Sequence, residues 1–315
     1  MTAPASTEDE AQGPDGATRP ALPVLVADGW PDYRLIDSGH GRKLERYGDL
    51  VLVRPEPQAM WSPQGHPAWD AAAAEFTGEA DEEGPGRWRV ASGVPEQWTV
   101  AIGPVRTICR LTGFRHVGLF PEQRPHWDDM VARVARRVAA RRPPEILNLF
   151  GYTGAASLLL AAAGAHVTHV DASRKAIAWA RENQALSGLE DRPIRWLCED
   201  ASKFVAREVR RGRRYDGIVL DPPKFGRGPK NETWSLLEDL PPLMADLSRL
   251  LDRDSDFLVL TAYAIRLSAL ALGRLVAERL APLGGEVEAG ELAIREEASG
   301  RLLPTSLYAR WSAAR

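Results

Sequence analysis

Five short apolar runs alternate with five helical patterns between residues 145 and 282, and this alternation limits the possible folds more than any other feature of the chain. The runs are EILNLF, HVTHVD, IRWLCED, DGIVLD and FLVLTAY. The helical patterns begin near 154 and then span 173–187, 201–212, about 233–251 and 267–282. Strands joined through helices pair in parallel, and a parallel sheet needs helices on both faces. An amphipathic helix over 127–142 precedes the series, with apolar side chains at 127, 130, 131, 134 and 138, acids at its start and arginines at its end. Two β-like runs, GEVEAGELAI and TSLYARW, close it.

The ends of these runs carry the chemistry. The first enters a turn with Gly151 and Gly154, and a helix follows at once. Glycines there leave room for a ligand over the helix N-terminus. The spacing is Gly-x-x-Gly with Tyr152 between, not the dinucleotide fingerprint, so the turn reads as a nucleoside binder without a diphosphate cradle. Asp171 closes the next run twenty residues after Gly151, where an acid accepts both hydroxyls of a ribose. Asp200 and Asp221 close the following two. A single acid at such a junction is commonly a helix cap. Three in register at the carboxyl edge of an open sheet favour a ligand site for the set.

After Asp221 comes Pro222-Pro223-Lys224-Phe-Gly-Arg-Gly. The prolines either simply stop strand pairing or stiffen a loop that faces a target. Lys224, Arg227 and Lys230 either keep that loop solvated or meet phosphates.

Charge is split along the chain. Residues 1–123 hold 11 Lys/Arg and 18 Asp/Glu, or −7, and residues 124–315 hold 29 and 25, or +4. Nucleic acid is permitted by this balance and not demanded by it. Residues 1–20 are acidic, rich in Pro, Gly and Ala, and read as a disordered tail, neither signal nor transit peptide. Residues 21–115 show short β-like runs with Trp30, Trp61, Trp69, Trp88 and Trp98, the pattern of a small mainly-β domain. Within it, 70–86 (DAAAAEFTGEADEEGPG) reads as a short helix and an acidic loop. The longest apolar stretch, 154–165, is too short to span a bilayer, so no membrane partner is expected. Two isolated cysteines, Cys109 and Cys198, suit a reducing cytoplasm. His166 and His169 lack a third ligand, and no metal is expected. Arginines 133, 136, 137, 141 and 142 form either a nucleic-acid face or, more commonly for a helix, a solvated one.

LNLFGYTG, the Asp171 strand end, Glu199-Asp200 and LDPPKF together resemble class I S-adenosylmethionine-dependent methyltransferases. More narrowly they resemble the bacterial 23S rRNA methyltransferases that make 5-methylcytosine or 7-methylguanine. The likeness covers roughly 113–315, including GFRHVGLFPEQR before the first strand and the closing LLPTSLYARW. It implies an α/β fold, a Rossmann-like seven-stranded domain over 116–315 beside the β-rich domain at 21–115. It implies S-adenosyl-L-methionine as cofactor. Asn148, Phe150, Gly151 and Gly154, with Tyr152 in the same turn, would frame its methionine part, Asp171 its ribose, and Asp200 with Ala201 its adenine amine. Phe120 and Gln123 would close over the methionine end. Asp221, Pro222, Pro223 and Lys224 would hold the target, Asp221 facing cofactor and target alike.

One departure decides the chemistry expected. Cytosine-C5 transfer needs a thiolate, and the family's cysteine follows the fifth strand. Here that stretch is LVLTAYAIRLS, without cysteine. The expectation is therefore direct transfer to a base nitrogen of RNA, with large-subunit rRNA as partner. The alternatives are a protein or small-molecule methyltransferase, or a non-catalytic RNA-binding or assembly factor of the same fold.

Overall fold

The computed structural model describes residues 22–77, 86–140, 142–263 and 267–314. The acidic tail, the acidic loop at 78–85 and Arg141 lie outside them.

The alternating runs form one eight-stranded sheet. Its order is Val24–Ala27, Glu286–Arg295, Leu302–Ser312, Phe257–Tyr263, Gly217–Leu220, Glu145–Leu149, His166–Asp171 and Ile194–Cys198. Leu302–Ser312 alone runs antiparallel to its neighbours. The seven strands expected are all present. The eighth, Val24–Ala27, comes from the region read as the β-rich domain and pairs in parallel along Glu286–Arg295. The central strands are apolar without alternation because both faces are covered: all of Gly217–Leu220 and nearly all of Phe257–Tyr263 are buried. The chain leaves Glu145–Leu149 toward one edge and returns on its other side to Gly217–Leu220. This is the point where open α/β sheets leave a crevice at their carboxyl ends.

Among the described residues six helices cover the sheet: α1 Arg124–Ala139, α2 Ala155–Ala162, α3 Arg174–Leu186, α4 Ala201–Arg210, α5 Leu236–Ser248 and α6 Ala269–Leu280. The apolar stripe of α1 (Trp127, Met130, Val134) is buried. Of the five arginines over 133–142, Arg136 is exposed, as a solvated face would have it, and Arg141 lies outside the described residues, but the other three pair with acids. Arg133 pairs with Asp256 at 3.0 Å and Arg137 with Asp216 at 2.8 Å, and Arg142 also reaches Asp216 at 2.9 Å. Those acids precede strands, at the amino edge of the sheet, away from the crevice.

The N-terminal module has a five-stranded sheet ordered Tyr33–Gly39, Arg42–Tyr47, Leu50–Pro55, Ala74–Thr77 and Arg87–Val90, plus a hairpin of Gln97–Ile102 and Val105–Arg110. The helix expected from residue 70 is instead a 3-10 turn, Pro67–Trp69, followed by the strand Ala74–Thr77. Alanine-rich sequence favours helix only weakly, and burying Phe76 against Trp88 at 5.3 Å, with Ala74 under the sheet, overrides it. The hairpin joins module to sheet. Ile108 N–H donates to Asn183 Oδ1 at 2.8 Å, and Trp179 Nε1 donates to the Ile108 carbonyl at 3.0 Å.

Candidate active site

The turn after Glu145–Leu149 opens a cleft of about 490 Å³ at the carboxyl edge. Phe120, Gln123, Asn148, Phe150, Gly151, Tyr152 and Asp221 line it together, with Gly118, Trp127, Thr153, Val219 and Thr261. Phe150 and Tyr152 both take positive φ, 55° and 50°, which non-glycine residues adopt only where surroundings hold them. Phe150 is held by its ring packing tilted against Trp234, centroids 4.9 Å apart. Tyr152 is held by its N–H, which donates to Asp171 Oδ2 at 2.8 Å. Gly151 is required by packing: a Cβ there would sit 2.4 Å from the His169 ring. Gly154, at φ 84°, begins α2. Asn148 does not point its amide into open space. It donates to Ser157 Oγ at 2.8 Å, and Ser157 meets His169 Nδ1 at 2.9 Å. Burial holds the His169 ring neutral, its pKa pushed down to about 3.

Seven expected residues do not line this cleft: Gly154, Asp171, Asp200 and Ala201, on the side toward Ile194–Cys198, and Pro222, Pro223 and Lys224, which follow Asp221 in the chain. Asp171 receives backbone N–H groups on both oxygens, from Tyr152 and from Ser173, each at 2.8 Å. Burial raises its carboxyl above the ordinary value, and those two donors pull it back. Asp200 caps α4, Oδ1 accepting from Lys203 N–H at 2.9 Å, and buried Ala201 opens that helix. The capping reading thus holds for Asp200, which does not preclude a ligand on its other oxygen.

Asp221 sits at the floor. Oδ2 accepts from Gln123 Nε2 at 3.2 Å, while Oδ1 is buried with no partner among the described residues. Burial, then the Glu122 charge, hold its carboxyl well above the usual range, and the Gln123 hydrogen bond offsets only part. Gln123 Nε2 also donates to Tyr263 Oη at 2.9 Å, and Thr261 Oγ1 donates to Gln123 Oε1 at 3.3 Å. Pro222 is buried, and the Pro223 carbonyl accepts from Trp234 Nε1 at 2.7 Å. The stretch expected to be a loop leading into a helix at 233 is an antiparallel hairpin, Phe225–Arg227 against Thr233–Ser235. Buried Trp234 anchors it from within, and Lys203 to Glu232 at 2.6 Å ties its tip to α4. Lys224 lies exposed over the Phe225 ring at 5.4 Å. Lys224, Arg227 and Lys230 form no ion pair with an acid among the described residues.

Tyr263, Thr261 and Glu122 escaped the sequence reading. Tyr263 ends a strand on the same edge as Asp221, which was the available signal. Neither cysteine lines the cleft. Cys109 is buried with its thiol pushed up to about 12, and Cys198 is exposed beside the Ala172 carbonyl. A larger groove, about 1130 Å³, lies between the module and the strand ends near Ile294. Its arginines are each balanced by an acid: Arg34–Glu297, Arg295–Asp28 and Arg124–Asp128.

The family model described as S-adenosylmethionine-dependent methyltransferase matches residues 67–265. The chain belongs to that family. A crystal structure of a SAM-dependent methyltransferase from Agrobacterium tumefaciens is 50% identical, covers 92% of this chain and 93% of its own, and superposes with a TM-score of 0.88. The ribosomal RNA large subunit methyltransferase K/L of Shewanella baltica is 35% identical over 145 residues, 45% of this chain and 19% of that protein. The one from Stutzerimonas stutzeri is 37% identical over 134 residues, 42% and 17%. The methyltransferase thus spans about a fifth of the length of these relatives. The match from residue 67 takes in the second half of the N-terminal module, beyond the 113–315 of the resemblance.

S-adenosylmethionine is the cofactor, and the cleft suits it. Sulfonium and ammonium are cations, and this methyltransferase offers them the aromatic rings of Phe120, Phe150, Tyr152 and Trp127. Among the described residues no helix is long and apolar enough to cross a membrane, and no group of three metal-ligating side chains occurs.

Proposed function

We propose that the protein methylates a base nitrogen of RNA, with large-subunit rRNA as the substrate. The observation that carries this reading is the orphaned Asp221 Oδ1 on the floor of a cleft that no cysteine lines. A buried acceptor without a donor is costly, and such atoms occur where a ligand supplies the missing group. An amine N–H of the target base is that donor. Bound S-adenosylmethionine supplies an electrophilic methyl group on sulfur. Asp221 aligns the attacking nitrogen and takes the proton it sheds, so alignment accounts for most of the rate. Asp221 must be ionised for this, so activity rises with pH through its elevated pKa.

In the same reading Asn148, Phe150, Gly151, Tyr152 and Gly154 frame the methionine part of the cofactor. Asp171 holds the ribose, and Asp200 with Ala201 meets the adenine. Phe120 and Gln123 close the methionine end. Pro222 and Pro223 stiffen the floor beside Asp221. Lys224, Arg227 and Lys230 on the anchored hairpin meet phosphates. The RNA assignment draws on the names of the Shewanella and Stutzerimonas relatives and on these unpaired cations. The domain division at 115/116 separates the module from the segment that walls the cleft.

The test is transfer of labelled methyl to ribosomal particles and naked rRNA from cells lacking the gene, with Asp221→Ala as control. Label on one nucleotide, reduced about 100-fold or more in the variant, is the expected result. Cofactor binding without label on RNA would move the search to proteins and metabolites.

A further inference from the structure

Three polar side chains are buried together beneath the glycine turn. Asn148 and His169 are partners in the parallel ladder of Glu145–Leu149 with His166–Asp171, so both project to the same face of the sheet. Helix α2 covers that face and places Ser157 between them. Their neighbours in the chain, Leu147, Leu149, Leu158 and Val170, are apolar and fully buried. Polar groups in such a setting are costly unless their hydrogen bonds are made. Here they form one continuous relay, Asn148 Nδ2 to Ser157 Oγ at 2.8 Å and Ser157 Oγ to His169 Nδ1 at 2.9 Å.

The direction of the relay follows from its far end. Burial keeps the His169 ring neutral, so one of its nitrogens carries a proton and the other accepts. Nε2 is buried without a partner, and the Trp196 ring packs against the imidazole, centroids 4.6 Å apart. Trp196 spends its own N–H on Gln184 Oε1 at 2.9 Å, so it has no proton to offer a bare Nε2. A proton on Nε2 can instead rest against aromatic electrons. Nδ1 is then the acceptor, and the Ser157 hydroxyl donates to it. The Ser157 oxygen accepts in turn from the Asn148 amide nitrogen. A flipped amide would press Oδ1 against the Ser157 oxygen with no proton between them. The Asn148 oxygen is therefore left for the cleft, which Asn148 lines and neither Ser157 nor His169 does.

Gly151 belongs to the same arrangement. A Cβ there would come within 2.6 Å of His169 Nδ1 and 3.0 Å of Asn148 Nδ2, so a side chain would force the relay apart.

The methionine part of the cofactor ends in an ammonium, which only donates, and a carboxylate, which only accepts. An asparagine serves either, according to the end it shows. We propose that Ser157 and His169 are positioning residues for cofactor binding: they lock the Asn148 amide with its oxygen toward the cleft, so that Asn148 takes the ammonium of S-adenosylmethionine and rejects the carboxylate. The inference rests on the reading of Asn148 as part of the frame around the methionine end.

Nitrogen NMR of the imidazole in the full chain reads the His169 tautomer with no ligand present. A proton on Nε2 is expected, and a proton on Nδ1 overturns the inference. Calorimetry then compares S-adenosylmethionine, its decarboxylated form, which keeps the ammonium, and methylthioadenosine, which lacks both charged groups. Ser157→Ala frees the amide to turn, and is expected to weaken the first two ligands about tenfold while methylthioadenosine stays within about twofold of wild type. A merely structural Ser157 would weaken all three alike, because the same turn reaches Asp171, and that result overturns the inference. So does an unchanged affinity, or a loss confined to the ligand that carries the carboxylate. Should Ser157→Ala fail to fold, His169→Phe decides, with the same pattern expected. Asn148→Ala separates the inference from the reading beneath it. If that variant binds S-adenosylmethionine like wild type, Asn148 frames nothing and both fall. If it binds weakly while Ser157→Ala does not, the positioning role falls alone. No arm needs RNA, so the substrate assignment is tested apart from this one.

Discussion

The two parts of this molecule share an apolar core but differ in the charge they bury. The catalytic sheet packs Leu147, Leu149, Leu220, Leu258, Leu260, Phe204 and Met244 into an apolar core. The N-terminal module buries Lys43, Glu45, Arg54, Glu56 and Arg115 beneath Tyr33 and Tyr47. Apolar burial is non-directional and supplies stability. A buried ion pair gains little net energy over an apolar pair of the same volume, but it tolerates only one geometry. The ionic interior stands next to the segment that walls the cleft. The difference teaches that the module contributes alignment, and the sheet contributes the free energy that makes alignment affordable.

Unpairing the ionic interior tests this most severely. Glu45→Gln leaves Arg54 buried beside a neutral amide and is expected to cost about 3–5 kcal/mol in denaturant unfolding. Leu260→Ala, in the apolar interior, is expected to cost about 2–5 kcal/mol. The discriminating result is the pair Glu45→Leu with Arg54→Leu. Stability should return to within about 2 kcal/mol of wild type, while methyl transfer per folded molecule stays low. Full activity in that pair would break the comparison.

Acidity sharpens it next, since the two regions respond with opposite sign. Burial alone would raise the Glu45 carboxyl, but Arg54 and then Lys43 outweigh it and hold it at about 2. Its contribution is therefore complete above the ordinary 4.5 and is lost as pH falls toward 2. Asp221 is raised, so the folded state keeps a proton that the unfolded chain has released, and stability falls as pH rises through its folded pKa. Asp221→Asn should melt higher than wild type near pH 7, by about 2–6 °C, with the gap closing toward pH 4. Scanning calorimetry across that range checks both signs.

The smallest effect concerns the surface. Replacing Lys224, Arg227 and Lys230 together by alanine should reduce the slope of log K against log salt for single-stranded RNA by about 2. Cofactor affinity should not change. An unaltered slope would leave the hairpin cations as solvated charges.

The alternation after residue 145 was legible because both-face burial writes a strand as an uninterrupted apolar run. The strand-end acids were legible because position, not contact, makes them candidates. The ionic interior was not. In KLERY the alternation places Lys43 and Glu45 on a face that reads as solvent-exposed, yet Lys43, Leu44 and Glu45 are all buried. A charged residue looks the same in sequence whether water or Arg54 is its partner. The hairpin at 225–235 was hidden for a related reason. Its anchor is Trp234, seated under Pro223, and nothing in GRGPKNETW specifies that contact. Asp200 shows the reverse: the register of three acids favoured a ligand, and the local geometry supplies a helix cap.

The strand Val24–Ala27 has a consequence for how the whole chain holds together. It is zipped to Glu291–Ile294, so the chain runs from the large sheet into the module and back again. Leu35 touches Glu296 in a parallel bridge, and Ser38 Oγ binds Glu296 at 2.6 Å, carrying the stitching into the module. Such a module is spliced in rather than hung on. A truncation starting near residue 116 would strip the outer strand from Glu286–Arg295 and bare the margin at Glu291–Ile294 to other chains. The two regions should therefore melt in a single cooperative step, and a protease cut between them should release neither.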